Sequence, residues 1–405
     1  MTITKRTRLF LTLFLGMMSA MAPLSTDMYL PALPEFTTDF GISASLAQMT
    51  LTMTMLGMAV GQMIMGPVSD RYGRRRPLLF GMIVFALTAV GCAAVRDIYV
   101  FLVLRFFMGF AGASGIVIAR AIARDVAEGV ELTRFFAILM MVNGLAPILA
   151  PVIGGQVLLF ADWRGIFVLL VLVGLVQSGA TIIYRETLPQ EKRIGNLTAS
   201  FQKFPLLLHD KYFMGHCLTQ CFVFGAFFSY LAGSSFLFQN IYHVTPQTFS
   251  LIFGGIGIGL LVCGMVPARL AGRVPDVSLL MGALCIPVAG SVALLAGFLF
   301  HAPIEYTIPV LFVTIVPLSI VGAASFSLAL SRQGKNAGSA SALIGFAQMI
   351  LGGLMMPLVG LFGADTAVPM GTIMLTGYAL GLLTFFTLIY PDHRRGGRIM
   401  GKIRK

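Results

Sequence analysis

The chain alternates long apolar runs with short polar breaks. About 20 consecutive apolar residues, wound as a helix, cross the hydrocarbon core of a bilayer. Runs of that length recur twelve times, at roughly 9–33, 44–66, 77–95, 98–119, 133–158, 165–184, 213–241, 247–268, 277–299, 305–330, 340–363 and 368–390. They are numbered spans 1 to 12 below, and they predict an all-α membrane protein with twelve transmembrane helices. The longest break, around "ETLPQEKR", is mixed in charge and reads as a solvated linker. It divides the chain into a six-helix half (1–185), a linker (186–212) and a second six-helix half ending in a basic tail (213–405).

Composition agrees with this pattern. The chain is 57% hydrophobic and 11% charged, against about a quarter charged in soluble proteins. Its mean hydropathy is +0.90. A net charge of +12 invites a nucleic-acid reading, but the basic residues sit in the breaks between spans, where they set topology. With both termini placed in the cytoplasm, 25 of the 28 basic residues fall inside; Arg96 and Arg164 fall outside and Arg105 lies within span 4. Lys5, Arg6 and Arg8 followed by "AMA" at Ala20–Ala22 resemble a signal peptide. The apolar run continues to Leu33, however, so an uncleaved first helix is expected.

Cys92, Cys217, Cys221, Cys263 and Cys285 all lie in apolar stretches and suggest no disulfide framework. Cys217 and Cys221, one turn apart beside His216, are read as small apolar packing residues. No metal and no cofactor is expected. The glycosylation sequon at Asn196 falls on the cytoplasmic side and is a pattern only, and His209, His243, His301 and His393 carry no signal.

An offset of 206 residues aligns the halves, setting Pro151 on Pro357, Gly154 on Gly360, and Gly66–Asp70 on Gly272–Asp276. Such an internal repeat, six spans plus six, is an alternating-access transporter architecture.

Three stretches carry candidate chemistry. Between spans 2 and 3 runs "GPVSDRYGRRRPLLF". Gly66 is expected to let a helix end approach its neighbour, Asp70 and Arg71 to pair with opposite helix ends, Gly73 to make a tight turn, and Arg74 to help anchor the loop. Span 4 reads "LVLRFFMGFAGASG", with a buried guanidinium at Arg105 that demands partners and a small-residue face at Gly109, Gly112 and Gly115. Its "GASG" matches an intramembrane protease signature, but His216 lies at the wrong depth to serve Ser114, which is read as packing. Span 5 reads "NGLAPILAPVIGG", in which Pro147 and Pro151 bend the helix and Gly144, Gly154 and Gly155 permit close contact. No HExxH stands in the chain, and no enzyme activity is expected.

These stretches resemble motifs A, B and C of the major facilitator superfamily. Motif A implies a cytoplasmic gate latch that helps hold the outward-open state. Motif C is associated with exporters that work as antiporters. In that fold spans 1 and 4 face one cavity, so the resemblance makes Arg105 the expected partner of Asp27, which is the only carboxylate well inside any span. Whether such a carboxyl holds its proton depends on its hydration and on its distance from the guanidinium, the behaviour a proton-coupled carrier needs.

Adding 206 to Asp27 and Arg105 gives Gly233 and Leu311, so the second half lacks the pair. Its cavity side is expected to be apolar and aromatic, with Phe224, Phe227, Tyr230, Phe236, Phe238 and Met349 as candidates and Tyr29 added from the first half. Such a cavity suits bulky amphipathic molecules better than sugars.

"PLSTDMYLPALP", "ARAIARD", "ETLP", "AGSSFLFQ" and "GSASALIGFAQM" resemble, over the whole chain, the bicyclomycin- and chloramphenicol-resistance (Bcr/CflA) branch of the drug:proton antiporters. The resemblance implies export of small amphipathic drugs across a bacterial inner membrane in exchange for protons, by a monomer and with no nucleic-acid partner. The alternative is a same-fold exporter or facilitator of a metabolite. Ser19 stands where a related group of exporters carries a second acid, which weighs against coupling through two carboxylates.

Overall fold

A computed structural model describes residues 5–127, 129–193, 204–270, 272–333 and 337–391. Asn196, His393 and the basic tail after Pro391 lie outside the described residues. All described regular structure is helical. Twelve helices among the described residues are long and apolar enough to cross a membrane. They are Leu9–Phe40, Ala44–Tyr72, Arg75–Ala94, Ile98–Val126, Ile138–Val157 and Trp163–Ile183, then Lys211–Ile241, Pro246–Leu270, Asp276–Leu299, Ile304–Ser331, Gly338–Val359 and Val368–Ile389.

Two boundaries differ from expectation. Span 1 is not one helix: an α-helix ends at Asp27, a short 3₁₀ turn covers Leu30–Ala32, and a second helix runs Leu33–Phe40. Pro31 and Pro34 explain the break, because each lacks the N–H that the carbonyl four residues back would need. Span 2 is longer than its apolar run and stays helical to Tyr72, so all of "GPVSDRY" is helix, and only Gly73 and Arg74 form the turn.

The acids between spans start helices. Asp97, Asp162 and Asp210 each accept hydrogen bonds from first-turn N–H groups of the helix that follows. An N-cap carboxylate satisfies otherwise orphaned donors and meets the positive end of the helix dipole.

The described residues fall into two compact units, one within 1–197 and 238–255, the other within 198–237 and 256–405. In the first, span 1 packs on spans 4 and 5, span 2 on span 4, and span 3 on spans 4 and 6. In the second, span 7 packs on spans 10, 11 and 12, and span 9 on spans 10 and 12. Partners of span 1 therefore recur six spans later for span 7, and those of span 3 for span 9. Residues 238–255, the end of span 7 and the start of span 8, group with the first unit although they follow the linker in sequence.

Span 3 leaves Phe80, Ile83, Leu87 and Val90 exposed on one face, and span 6 leaves Val168, Leu172, Leu175 and Val176. Large apolar stripes of this kind are covered by hydrocarbon in a bilayer.

Candidate functional site

Asp27 is the last residue of the first helical segment of span 1 and is buried. Its Oδ1 lies 3.0 Å from Thr26 Oγ1, which also lies 3.2 Å from the Ala22 carbonyl and has one proton to share between them. The expected pairing with Arg105 is not made: Asp27 forms no ion pair among the described residues. Instead Arg105 Nη1 donates to the carbonyl of Ser25 at 2.7 Å and contacts Met108 Sδ at 3.5 Å.

The reason is the break itself. The last carbonyls of a helix have no intrahelical donor, and a cation is favoured at the negative end of the dipole. Arg105 thus grips the backbone of span 1 two residues before the carboxyl. Its Cζ lies 5.1 Å from the Tyr29 ring centre and 5.6 Å from that of Phe167, and cation–π attraction helps hold a desolvated guanidinium. Nε and Nη2 are buried with no hydrogen-bond partner among the described residues.

Span 5 grips the same joint from another side. A Cβ at Gly154 would stand 2.0 Å from the carbonyl oxygen of Met28, the residue after Asp27. Gly155 packs on Ser250, and its carbonyl accepts from Gln247 Nε2 at 2.8 Å. Gln239 Nε2 donates to the Pro31 carbonyl at 2.9 Å. Pro147 and Pro151 lie within the span 5 helix, and Gly144 is half-buried on it. The 238–255 segment therefore supplies amide donors to two carbonyls that helix ends leave free, both within the first unit. Neither glutamine was singled out in the sequence, because a backbone acceptor leaves no residue signature.

On span 4, Gly109 meets the Thr54 carbonyl of span 2, with a Cβ there only 2.0 Å away, and Gly115 meets Met18 of span 1. Ser114 bonds back to the Ala111 carbonyl and packs against Gly81, so it acts in packing.

At the opposite end of the first unit lies a charged cluster. Arg74, nearly fully buried, bonds Asp125 through Nε at 2.8 Å and Ser69 through Nη1 at 2.9 Å, and it pairs with Asp70 one turn earlier. Glu186 accepts from the N–H groups of Arg74 (2.9 Å) and Arg75 (3.1 Å), capping the start of span 3. Arg75 in turn donates to the Thr181 carbonyl at 3.3 Å, at the end of span 6. Each charge meets the helix end it suits.

Burial pushes the Glu186 carboxyl up, but the N–H groups of Leu188, Arg74 and Arg75 and the charge of Arg193 outweigh it and hold the group below its usual range. Burial likewise works against the Arg74 charge, while Asp125 and Asp70 raise its pKa above the ordinary value.

Gly73 adopts φ +88°, a region that only glycine enters readily, and a Cβ there would stand 2.4 Å from Glu186 Oε2. Two expectations are corrected. Arg71 is exposed, stacked by Tyr72 and without an ion pair among the described residues, so the buried role belongs to Arg74. Gly66 is not tightly packed, since a Cβ there would meet Val117 at an ordinary 3.5 Å.

The expected cavity residues divide. Tyr29 is fully buried among Phe36, Phe101 and Phe167 in the first unit. Tyr230 and Phe236 are buried in the second, and Phe238 packs on Phe249. All four side chains are closely packed by their neighbours. Phe224, Phe227 and Met349 are half-buried.

Span 7 also carries buried polar groups, of which only His216 drew notice in the sequence. Gln220 accepts from Gln348 Nε2 at 2.6 Å, and the buried His216 ring lies 3.0 Å from Ser325 Oγ. Cys217 and Cys221 sit in an apolar cluster with Phe213, Ala329 and Ile344. No group of three potential metal ligands occurs among the described residues.

Comparison with known proteins agrees over nearly the whole chain. The family model described as Major Facilitator Superfamily matches residues 10–357. The uncharacterized MFS-type transporter YdgK of Bacillus subtilis is 41% identical over 95% of this chain and 96% of its own. A bicyclomycin resistance protein homolog of Haemophilus influenzae is 32% identical over 95% and 97%. A chloramphenicol resistance protein of Pseudomonas aeruginosa is 32% identical over 70% and 67%. Among solved structures, a D-xylose-proton symporter superposes with a TM-score of 0.73, covering 94% of this chain and 98% of its own at 15% identity, a likeness of fold.

Proposed function

Because the chain belongs to the major facilitator superfamily, on the branch of the bicyclomycin and chloramphenicol resistance proteins, we propose that it is a proton-driven exporter of small amphipathic drugs. It works as a monomer in a bacterial inner membrane, with both termini in the cytoplasm. The observation that carries the reading is Asp27. It is a buried carboxyl on a broken helix, flanked by a backbone carbonyl held by Arg105 on one side and one packed on Gly154 on the other.

A carboxyl on such a joint couples chemistry to movement. When the joint shifts, the Arg105 guanidinium and any water admitted change position relative to Asp27, and with them the balance between its two protonation states. Taking up the proton from one side and releasing it to the other returns the carrier for another drug molecule. The Arg74, Asp70, Asp125 and Glu186 cluster acts as the latch at the cytoplasmic end, and it breaks and reforms as access alternates. One proton moving down 100 mV supplies about 2.3 kcal/mol. At about 1.4 kcal/mol per decade, that sustains roughly a 40-fold gradient of a neutral drug.

The test is drug-triggered proton release from acid-loaded proteoliposomes when chloramphenicol-like or bicyclomycin-like compounds are added outside, for wild type and Asp27→Asn. The expected result is proton movement with wild type and none with the mutant, which still binds drug. Undiminished coupling in Asp27→Asn would make Asp27 a structural residue and refute the proposal.

A further inference from the structure

Four arginines stand at the junction of spans 2 and 3, Arg71 at the end of span 2, Arg74 in the turn and Arg75 and Arg76 at the start of span 3, and the structure sorts them into two kinds. Arg74 and Arg75 are engaged by protein, on Asp70, Asp125 and the end of span 6. Arg71 and Arg76 are exposed and form no ion pair among the described residues. Beside them runs a groove of about 380 Å³ lined by Ile64, Met65, Val68 and Tyr72 of span 2, Arg76 and Phe80 of span 3, and Phe110 of span 4. All but one of these lining side chains are apolar or aromatic, and the exception, Arg76, stands at the loop end.

The groove opens to the bilayer. Phe80 (60% exposed) begins the apolar stripe that continues through Ile83, Leu87 and Val90, and Ile64 and Tyr72 are also exposed. Water does not fill such a groove without loss, and an empty one forfeits dispersion contacts along both walls. What covers a stripe like this in a membrane is an acyl chain. The guanidinium at its end, with a second one stacked by Tyr72 at 5.4 Å, fits a negative headgroup at the depth where lipid phosphates lie.

We propose that this groove is a binding site for an anionic phospholipid, with its acyl chain between spans 2 and 3 and its headgroup on Arg71 and Arg76. The lipid neutralises the two arginines that form no ion pair among the described residues. It also places a negative group beside the latch, so that bilayer charge bears on the same loop that Arg74 holds. A basic pocket between helices is a recognised way of selecting acidic lipids. The site is independent of what the protein transports.

The experiment uses Phe80→Trp, a conservative change at an exposed position, in full-length protein reconstituted in phosphatidylcholine. Quenching of that tryptophan by brominated phosphatidylglycerol is compared with quenching by brominated phosphatidylcholine, after subtracting the signal of Trp163 in wild type. Leu172→Trp on the exposed stripe of span 6 serves as the remote control.

The expected result is preferential quenching by phosphatidylglycerol at position 80 and none at position 172. Arg76→Gln or Arg71→Gln, added to Phe80→Trp, each lowers the preference about fivefold. Equal quenching by the two lipids at position 80 overturns the proposal. So does a preference that survives both arginine replacements, or one as large at position 172. Added inorganic phosphate should leave the preference in place; if millimolar phosphate abolishes it, the arginines take a free anion and the lipid site is refuted.

Discussion

Replacing Gly154 by alanine adds one methyl group where the structure has no room for it. The new Cβ would stand 2.0 Å from the Met28 carbonyl oxygen and 2.9 Å from its carbon. Nothing at that contact is a flexible side-chain tip; the obstacle is backbone. Reaching even the 3.0 Å limit of real Cβ contacts requires spans 1 and 5 to part by about 1 Å. Overpacking of this sort costs about 1–3 kcal/mol. The displaced residue is the one after Asp27, so the carboxyl moves with it.

Two readouts follow for Gly154→Ala in detergent and in liposomes. The melting temperature should fall, and drug–proton exchange should fall on the order of tenfold or more, since misplacing a working group by about 1 Å is costly. Gly179→Ala on span 6 is the control: nothing lies within 4 Å of its Cβ, and removing a helix-interior glycine gains about 0.5–1 kcal/mol. If Gly154→Ala melts and transports like Gly179→Ala, the close approach at Met28 is irrelevant and the coupling argument built on it fails.

Arg74→Lys should destabilise the protein by about 1–3 kcal/mol, because one ammonium cannot reach Asp125, Asp70 and Ser69 in the geometry a guanidinium spans; thermal unfolding reads this. Glu186 is held below its usual range, so its ionised form stabilises fully above the unfolded-chain value of about 4.3 and that contribution is lost as pH falls through the lower folded value. The melting-temperature difference between wild type and Glu186→Gln should therefore be flat from pH 8 to about 5 and shrink in stronger acid. Gln247→Leu strips the Gly155 carbonyl of its side-chain donor and should cost about 1 kcal/mol, seen as a lower melting temperature. Gly66→Ala should be tolerated and Gly73→Ala should not, although both belong to one sequence motif; expression and melting temperature of the two variants decide it.

The twelve spans were legible because hydrocarbon imposes a length that apolar runs of this chain meet plainly. The break in span 1 was half-legible: Pro31 and Pro34 are visible in the sequence, but that the helix stops at Asp27 depends on which neighbour takes the freed carbonyls. Asp27 and Arg105 stood out as charges inside apolar runs, and the resemblance, which sets spans 1 and 4 on one cavity, suggested a pair. Facing spans do not fix which atoms meet, and the guanidinium found a backbone oxygen instead. Glu186 and Asp125 were within reach, since "ETLP" and "ARAIARD" both drew notice. Their contacts with Arg74 cross separations of 112 and 51 residues, which no local pattern encodes.

At the broken end of span 1, Arg105 donates to the Ser25 carbonyl and Gln239 to the Pro31 carbonyl, each a side-chain donor to a main-chain acceptor. Main-chain oxygens are the same whatever side chain a codon specifies. Mutational tolerance at this joint is therefore lopsided. Positions that receive the bonds are free to drift so long as the helix still ends there, whereas the donors are not. A saturation library selected for drug resistance should show that asymmetry, with the buried Ser25 accepting other small residues and Arg105 almost none.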